Sequence, residues 1–142
     1  MRLHAESSAV LAWLLGEAGG AFVRSTLESA ELVMGSDLTL VECERVLIRA
    51  TALGELSEAA AAARRSALNA AAASWHIAHL GRDVVERARR AFPIEPVRTL
   101  DALHLATALV TREAVADLEV LSLDARIRSV ATALGFSLQP NL

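Results

Sequence analysis

Short apolar runs with strand character alternate along the chain with longer runs of helical period, and acidic residues mark several of the junctions. Parallel strands can be joined only by crossovers long enough to hold a helix, so this alternation specifies an α/β fold with a central parallel sheet. The expected strands are Arg2 to Ala5, Leu32 to Gly35, Trp75 to His79, Leu118 to Leu123 and Phe136 to Leu138. The expected helices are Ala9 to Leu15, Gly20 to Ser29, Leu38 to Leu53, Ser57 to Ala73, Asp83 to Phe92, Leu100 to Arg112 and Ala125 to Leu134. No Pro/Gly/Ser-rich linker and no internal repeat interrupts the pattern, so residues 1–142 read as a single domain. The segment Phe92-Pro93-Ile94-Glu95-Pro96 ends one helix, because each proline lacks an N–H and restricts the residue before it, and Thr99 is placed to cap the next.

A domain of this length buries roughly 70% of the surface its unfolded chain exposes. With 54% hydrophobic but only 4% aromatic residues, its core has to be built from Leu, Val and Ala rather than from rings. The low-complexity stretches Ala59 to Ala63 and Ala70 to Ala73 read as a structural helical arm and a candidate partner surface, since Ala favours helix and allows close approach. No apolar run reaches the roughly 18 residues of a membrane span, and MRLHAESSAV lacks a signal-peptide core, so a cytoplasmic location is expected. Cys43, the single cysteine, has no internal partner and reads as a small buried hydrophobe.

All 14 basic residues are arginine, and the net charge is -3, which argues against a broad basic coat for nonspecific DNA binding. The lack of lysine removes P-loop nucleotide hydrolysis and Schiff-base chemistry. It also leaves a phosphoacceptor receiver domain, which likewise gathers acids around Mg²⁺ on an α/β sheet, without its customary active-site lysine.

Four carboxylates occupy equivalent places: Glu6 ends the first strand, Glu42 lies early in the helix after the second, Asp101 opens a later helix and Asp124 ends the fourth strand. The carboxyl ends of parallel strands share one edge, where ligand crevices form, so these acids are expected to converge. Asp124 is also a good N-cap and Asp101 suits a helix first turn, which are the structural explanations for each alone. Asp101 nevertheless opens the helix DALHLATALV, apolar on nearly every side, where a carboxylate needs a compensating cation or donors. Converging carboxylates repel one another, and oxygen-only ligation suits Mg²⁺ or Mn²⁺, ions that activate water and stabilise a phosphate undergoing displacement. Glu42 has rivals in this role: it shares a polar helix face with Arg45 and Arg49, while Glu44 interrupts the apolar arc of Leu40, Cys43, Leu47 and Ile48.

The ordered set ESSAVLAWLLGE from Glu6, SDLTLVECERVLIR from Ser36, TLDALHLATAL from Thr99 and LSLDARIRSVATALGF from Leu121 resembles PIN domains of the VapC toxin type over essentially the whole chain. The resemblance implies a PIN-like three-layer fold and a Mg²⁺- or Mn²⁺-dependent endoribonuclease, the toxin of a toxin–antitoxin pair. It maps the acidic metal-binding and catalytic residues to Glu6, Glu42, Asp101 and Asp124, with Ser8 as a polar neighbour. It further implies an RNA substrate, a homodimer and a small cognate antitoxin that covers or enters the acidic crevice. The family usually has Asp where this chain has Glu6. A displacement of about 1 Å in an active site can cost roughly a hundredfold in rate, so the alternative reading is a catalytically weakened PIN module acting through antitoxin binding.

Among other residues, His104 follows Asp101 by one turn and reads as a hydrogen-bonded core histidine ahead of a ligand or acid–base group. The spacing of His76 and His79 does not favour zinc, and Trp13 and Trp75 read as core or interface anchors. Arg98, Arg126 and Arg128 flank Asp101 and Asp124 and are candidates to hold RNA phosphates, with surface ion pairing as the rival role. Arg87, Arg89 and Arg90 are expected on a solvated helix face.

Overall fold

The computed structural model describes all 142 residues. Five strands, β1 (Arg2–Ala5), β2 (Leu32–Ser36), β3 (His76–Ala78), β4 (Leu118–Leu121) and β5 (Leu138–Gln139), form one sheet in the order β3-β2-β1-β4-β5. Every pairing is parallel. Seven helices connect them: α1 (Ser7–Leu15), α2 (Gly20–Ser29), α3 (Asp37–Ala52), α4 (Glu58–Ala72), α5 (Arg82–Ala88), α6 (Thr99–Ala114) and α7 (Ala125–Ala133). No helix is long and apolar enough to cross a membrane.

The pleat sorts side chains into two cores. Leu3 of β1 and Leu121 of β4 pack with Ala9 of α1 and Val23 of α2, and a neighbouring cluster joins Ala5, Val10, Leu14, Val33, Cys43 and Leu68. On the other face, Leu118 and Val120 of β4 pack with Ala102, Leu105 and Ala108 of α6 and Ile127, Val130 and Ala131 of α7. Helices therefore cover both faces of the sheet, which is the expected three-layer α/β arrangement. The α1–α2 turn is tight because Gly20 lies directly on α1: a Cβ there would sit 2.3 Å from the Ala12 carbonyl oxygen.

The sheet positions the site through its connectivity. From β1 the chain proceeds to β2 and β3 on one side, and it returns through β4 to β5 on the other. The segments leaving β1 and β4 thus start side by side, with Ala5 in register with Leu121, and diverge to opposite halves of the sheet. A crevice at the carboxyl edge is the topological consequence.

Several local expectations are corrected. The fifth helix ends at Ala88 rather than Phe92, and the chain that follows is shaped by Glu95, whose carboxylate accepts the amides of Phe92 (2.8 Å) and Val97 (2.7 Å). Thr99 is the first residue of α6 rather than its cap; Arg98 takes the cap position without a side-chain cap bond. Phe136 joins the core and leaves only Leu138–Gln139 as β5. Arg87 is not merely solvated, since its guanidinium lies 4.4 Å over the Phe92 ring.

Candidate active site

Glu6 is the residue immediately after β1, and its extended backbone places it at the N-cap of α1. There its Oε1 accepts the Ser8 amide at 3.1 Å, while Oε2 accepts the hydroxyls of Ser8 and of Ser122, the latter at 2.7 Å. With these donors the carboxylate tolerates its burial, only 5% of the residue being exposed. The Ser8 hydroxyl in turn accepts the amides of Leu123 (3.0 Å) and Asp124 (3.1 Å), tying the exit of β1 to the exit of β4.

Glu42 lies in the second turn of α3 and turns toward the crevice instead of pairing with Arg45. Its Oε1 accepts the Ser7 hydroxyl at 2.9 Å and a hydrogen bond from His104 Nε2. A carboxylate can only accept, so Nε2 carries the proton in this contact. His104 is itself buried and reaches Glu42 from the opposite side of the sheet edge, on α6. Partial burial works against the Glu42 charge, but the His104 hydrogen bond and electrostatic field, with the Ser7 hydroxyl, outweigh it and hold its pKa below the usual value. Glu44, the acid that breaks the apolar arc of α3, is accounted for by an ion pair with Arg65 of α4 at 2.7 Å.

Asp124 caps α7, its Oδ1 accepting the amides of Arg126 (2.9 Å) and Ile127 (3.0 Å) as an N-cap aspartate should. Asp101, in the first turn of α6, is the acid under electrostatic tension. Desolvation first, and the charge of Asp124 second, push its pKa up, partly offset by His104, Arg98 and Arg126. Ser8 and Ser122 thus tie Glu6 to the backbone at Asp124, and Ser7 and His104 hold Glu42, while Asp101 makes no side-chain hydrogen bond and is coupled to Asp124 and His104 through their charges. No three of the acidic, imidazole or thiol side chains stand close enough together to enclose an ion as placed. The donor chemistry nevertheless fits a hard cation: oxygen ligands at a partly open crevice, where desolvation and the Asp124 charge act on Asp101 and His104, Arg98 and Arg126 offset them only in part.

The arginines divide. Arg128 serves the fold, its guanidinium donating to the carbonyls of Ser122 (2.8 Å), Gln139 (3.2 Å) and Pro140 (2.7 Å). Arg98 and Arg126 stay exposed beside Asp101. His79 is engaged with Asp37 at 2.6 Å, and Trp13 and Trp75 pack partly buried on the core. Ser7 and Ser122 are the site residues that sequence reasoning misses. Ser7 sits next to Ser8 in the quoted ESSAV stretch, whereas the link from Ser122 to Glu6 spans the whole chain and leaves no local signal.

Comparison with protein families gives one match, the PIN domain, over residues 5–134. The chain belongs to the PIN-domain family. Solved structures with the same fold include VapC20 of Mycobacterium tuberculosis, a toxin that cleaves the sarcin–ricin loop, at 19% identity and TM-score 0.64 over 94% of this chain and 95% of that one. A toxin–antitoxin complex from Klebsiella pneumoniae aligns at 19% identity and TM-score 0.57 over 89% and 88% of the two chains. VapBC2 of Rickettsia felis, bound to promoter DNA, aligns at 7% identity and TM-score 0.64 over 98% of each. A comparison with curated protein sequences gives no match. In PIN-domain terms, the expected three-layer parallel fold is present.

Proposed function

We propose that this PIN domain is a metal-dependent endoribonuclease, the toxin of a toxin–antitoxin pair, that hydrolyses RNA phosphodiester bonds at the edge carrying Glu6, Glu42, Asp101 and Asp124. The observation that carries the reading is the meeting of acids from separate elements at the strand exits: Glu6 bonded to Ser122 two residues before Asp124, and Glu42 bonded to His104 one turn after Asp101. Likeness in fold to toxins and toxin–antitoxin complexes supports the biological role.

Asp101 and Asp124 would hold Mg²⁺ or Mn²⁺, with Glu42 and Glu6 completing the acidic wall. When bound, such a cation polarises a phosphoryl oxygen and makes water a better nucleophile. Glu42, kept ionised by His104 and Ser7, orients groups by accepting hydrogen bonds and is a poor proton acceptor. Ser8 and Ser122 fix Glu6 so that the exits of β1 and β4 move as one unit.

The antitoxin expected to cover the acidic crevice has an apolar seat adjoining it. Beside Glu42, a groove of about 780 Å³ runs along α3 to Leu100, and Val41, Ile48, Leu53 and Leu100 expose between 43% and 59% of their surface there. Exposed apolar side chains flanked by Arg45 and Arg49 suit the apolar stripe of a partner helix with acidic edges. A homodimer belongs to the same reading, and light scattering of the purified chain tests it.

Asp101→Asn and Asp124→Asn should each lower Mg²⁺- or Mn²⁺-dependent cleavage of RNA by about a hundredfold or more. Unchanged cleavage would overturn the reading. The second reading, a weakened module acting through its antitoxin, is favoured by Glu6 being fully engaged as a helix cap. Tight antitoxin binding without cleavage at any cation concentration would select it.

A further inference from the structure

Next to Asp101 the surface opens into a cleft of about 570 Å³ between the segment Ile94–Arg98 and helix α7, well within the range of small-molecule sites. Leu105 and Val130, both nearly fully buried, form part of its apolar lining, and Val97 and the exposed Ile94 belong to one wall. The opposite wall carries the exposed residues Arg126 and Ser129 on α7. Arg98 and Arg126 both line the cleft and both act electrostatically on Asp101, yet neither takes part in any ion pair of the chain. Glu95 adds rigidity, since both its carboxylate oxygens are spent on amides of its own loop.

An apolar slot edged by two uncommitted guanidiniums and opening beside an acid is complementary to a group that is flat and apolar at one end and anionic at the other. A nucleotide has that form, and Arg is the residue best suited to phosphate. We propose that this cleft is a subsite for one unpaired nucleotide of the RNA, its phosphate held by Arg98 and Arg126 and its base seated against Ile94 and Val97, with Leu105 and Val130 closing the floor beneath. The inference rests on the ribonuclease reading and extends it: the cleft selects single-stranded RNA, because a base within a duplex is not free to enter. The exposed Ser129 hydroxyl is the polar group at hand to discriminate among bases.

Binding of fragments to the isotope-labelled full chain, followed by amide NMR shifts in metal-free buffer, tests the proposal without any chemistry. The probes are 5′-UMP, 5′-AMP, ribose 5-phosphate and inorganic phosphate. At least one nucleotide should bind about tenfold more tightly than ribose 5-phosphate, a difference of about 1.4 kcal/mol, with shifts at Val97, Ser129 and Val130. Arg126→Ala should weaken every phosphate-bearing probe, whereas Ser129→Trp, which fills the slot from an exposed position, should weaken the nucleotides and spare inorganic phosphate. Nucleotides that bind no better than phosphate, or that are indifferent to Ser129→Trp, overturn the subsite. So does a Ser129→Trp protein that keeps nucleotide affinity but loses its antitoxin complex, since the cleft is then a protein site. RNA cleavage measured on the same proteins separates the two ideas: cleavage without fragment binding removes the subsite alone, and fragment binding without cleavage removes the nuclease reading alone.

Discussion

His4 lies in the middle of the central strand, 1% exposed, with neither ring nitrogen hydrogen-bonded. Burial above all, and the nearby His104 in addition, lower its pKa to about 3. The folded chain therefore keeps it neutral, while the unfolded chain takes up a proton below about pH 6.5. Protons then favour the unfolded state, and stability falls as pH drops from about 6.5 toward 3, by about 1.4 kcal/mol per unit and so by about 2 kcal/mol at pH 5. His4→Leu, close in volume and without unsatisfied polar atoms, should raise Tm and remove that part of the acid sensitivity. Denaturant unfolding of both proteins at pH 7 and pH 5 measures it; parallel losses in the two would show that His4 is not the group responsible. Nothing in RLHA announces this, because a strand pattern records that a residue faces inward and not whether its polar atoms find partners there.

At the level of elements, the last strand is held by a side chain as well as by its own two-residue ladder. Arg128 of α7 reaches three backbone carbonyls on β4's exit and on the C-terminal segment. Charge-assisted bonds are worth about 1.5–3 kcal/mol each when a partner is lost, although shared donors do not add. Arg128→Ala should therefore destabilise the chain by about 2 kcal/mol and raise amide exchange at Leu138 and Gln139 first. Exchange that stays uniform along the sheet would contradict this role. Gly20→Ala is expected to cost about 1–3 kcal/mol for a different reason, the backbone overlap with Ala12 in the α1–α2 turn, and chemical denaturation reports it. Element positions were legible because periodicity and capping act locally: Ser36, Ser57 and Asp124 cap α3, α4 and α7 just where their patterns begin. Phe92 and Thr99 were misplaced where a loop is shaped by the Glu95 carboxylate reaching back to one amide and forward to another. Within the site the acids could be read as strand-end residues, but their partners could not. The pairing of Glu42 with His104 joins residues 62 apart, and that of Glu6 with Ser122 joins residues 116 apart. Glu42 faces Ser7 and His104 rather than Arg45 only because α3 and α6 meet at the end of β1.

For the whole molecule, the acidic edge is a place where an ionised side chain works against folding, which a bound cation would reverse. Asp101 has a raised pKa in the folded state, so at neutral pH its ionisation opposes folding, first through burial and then through Asp124. A divalent cation that binds only the folded chain reverses this by linkage, adding about 2.7 kcal/mol at a concentration a hundred times Kd. For a domain of this length that corresponds to a rise in Tm of about 5–10 °C. Asp101→Asn removes one charge of the pair, so it should be more stable than the parent without cation and should respond less to it. Thermal unfolding in Mg²⁺ or Mn²⁺, against monovalent salt matched for ionic strength to remove simple screening, makes the comparison. The parent should gain Tm only with the divalent ion, and the variant should lose most of that gain. Equal rises in both proteins would mean that the cation acts elsewhere, and the acidic edge would then be a strained structural feature rather than a metal centre.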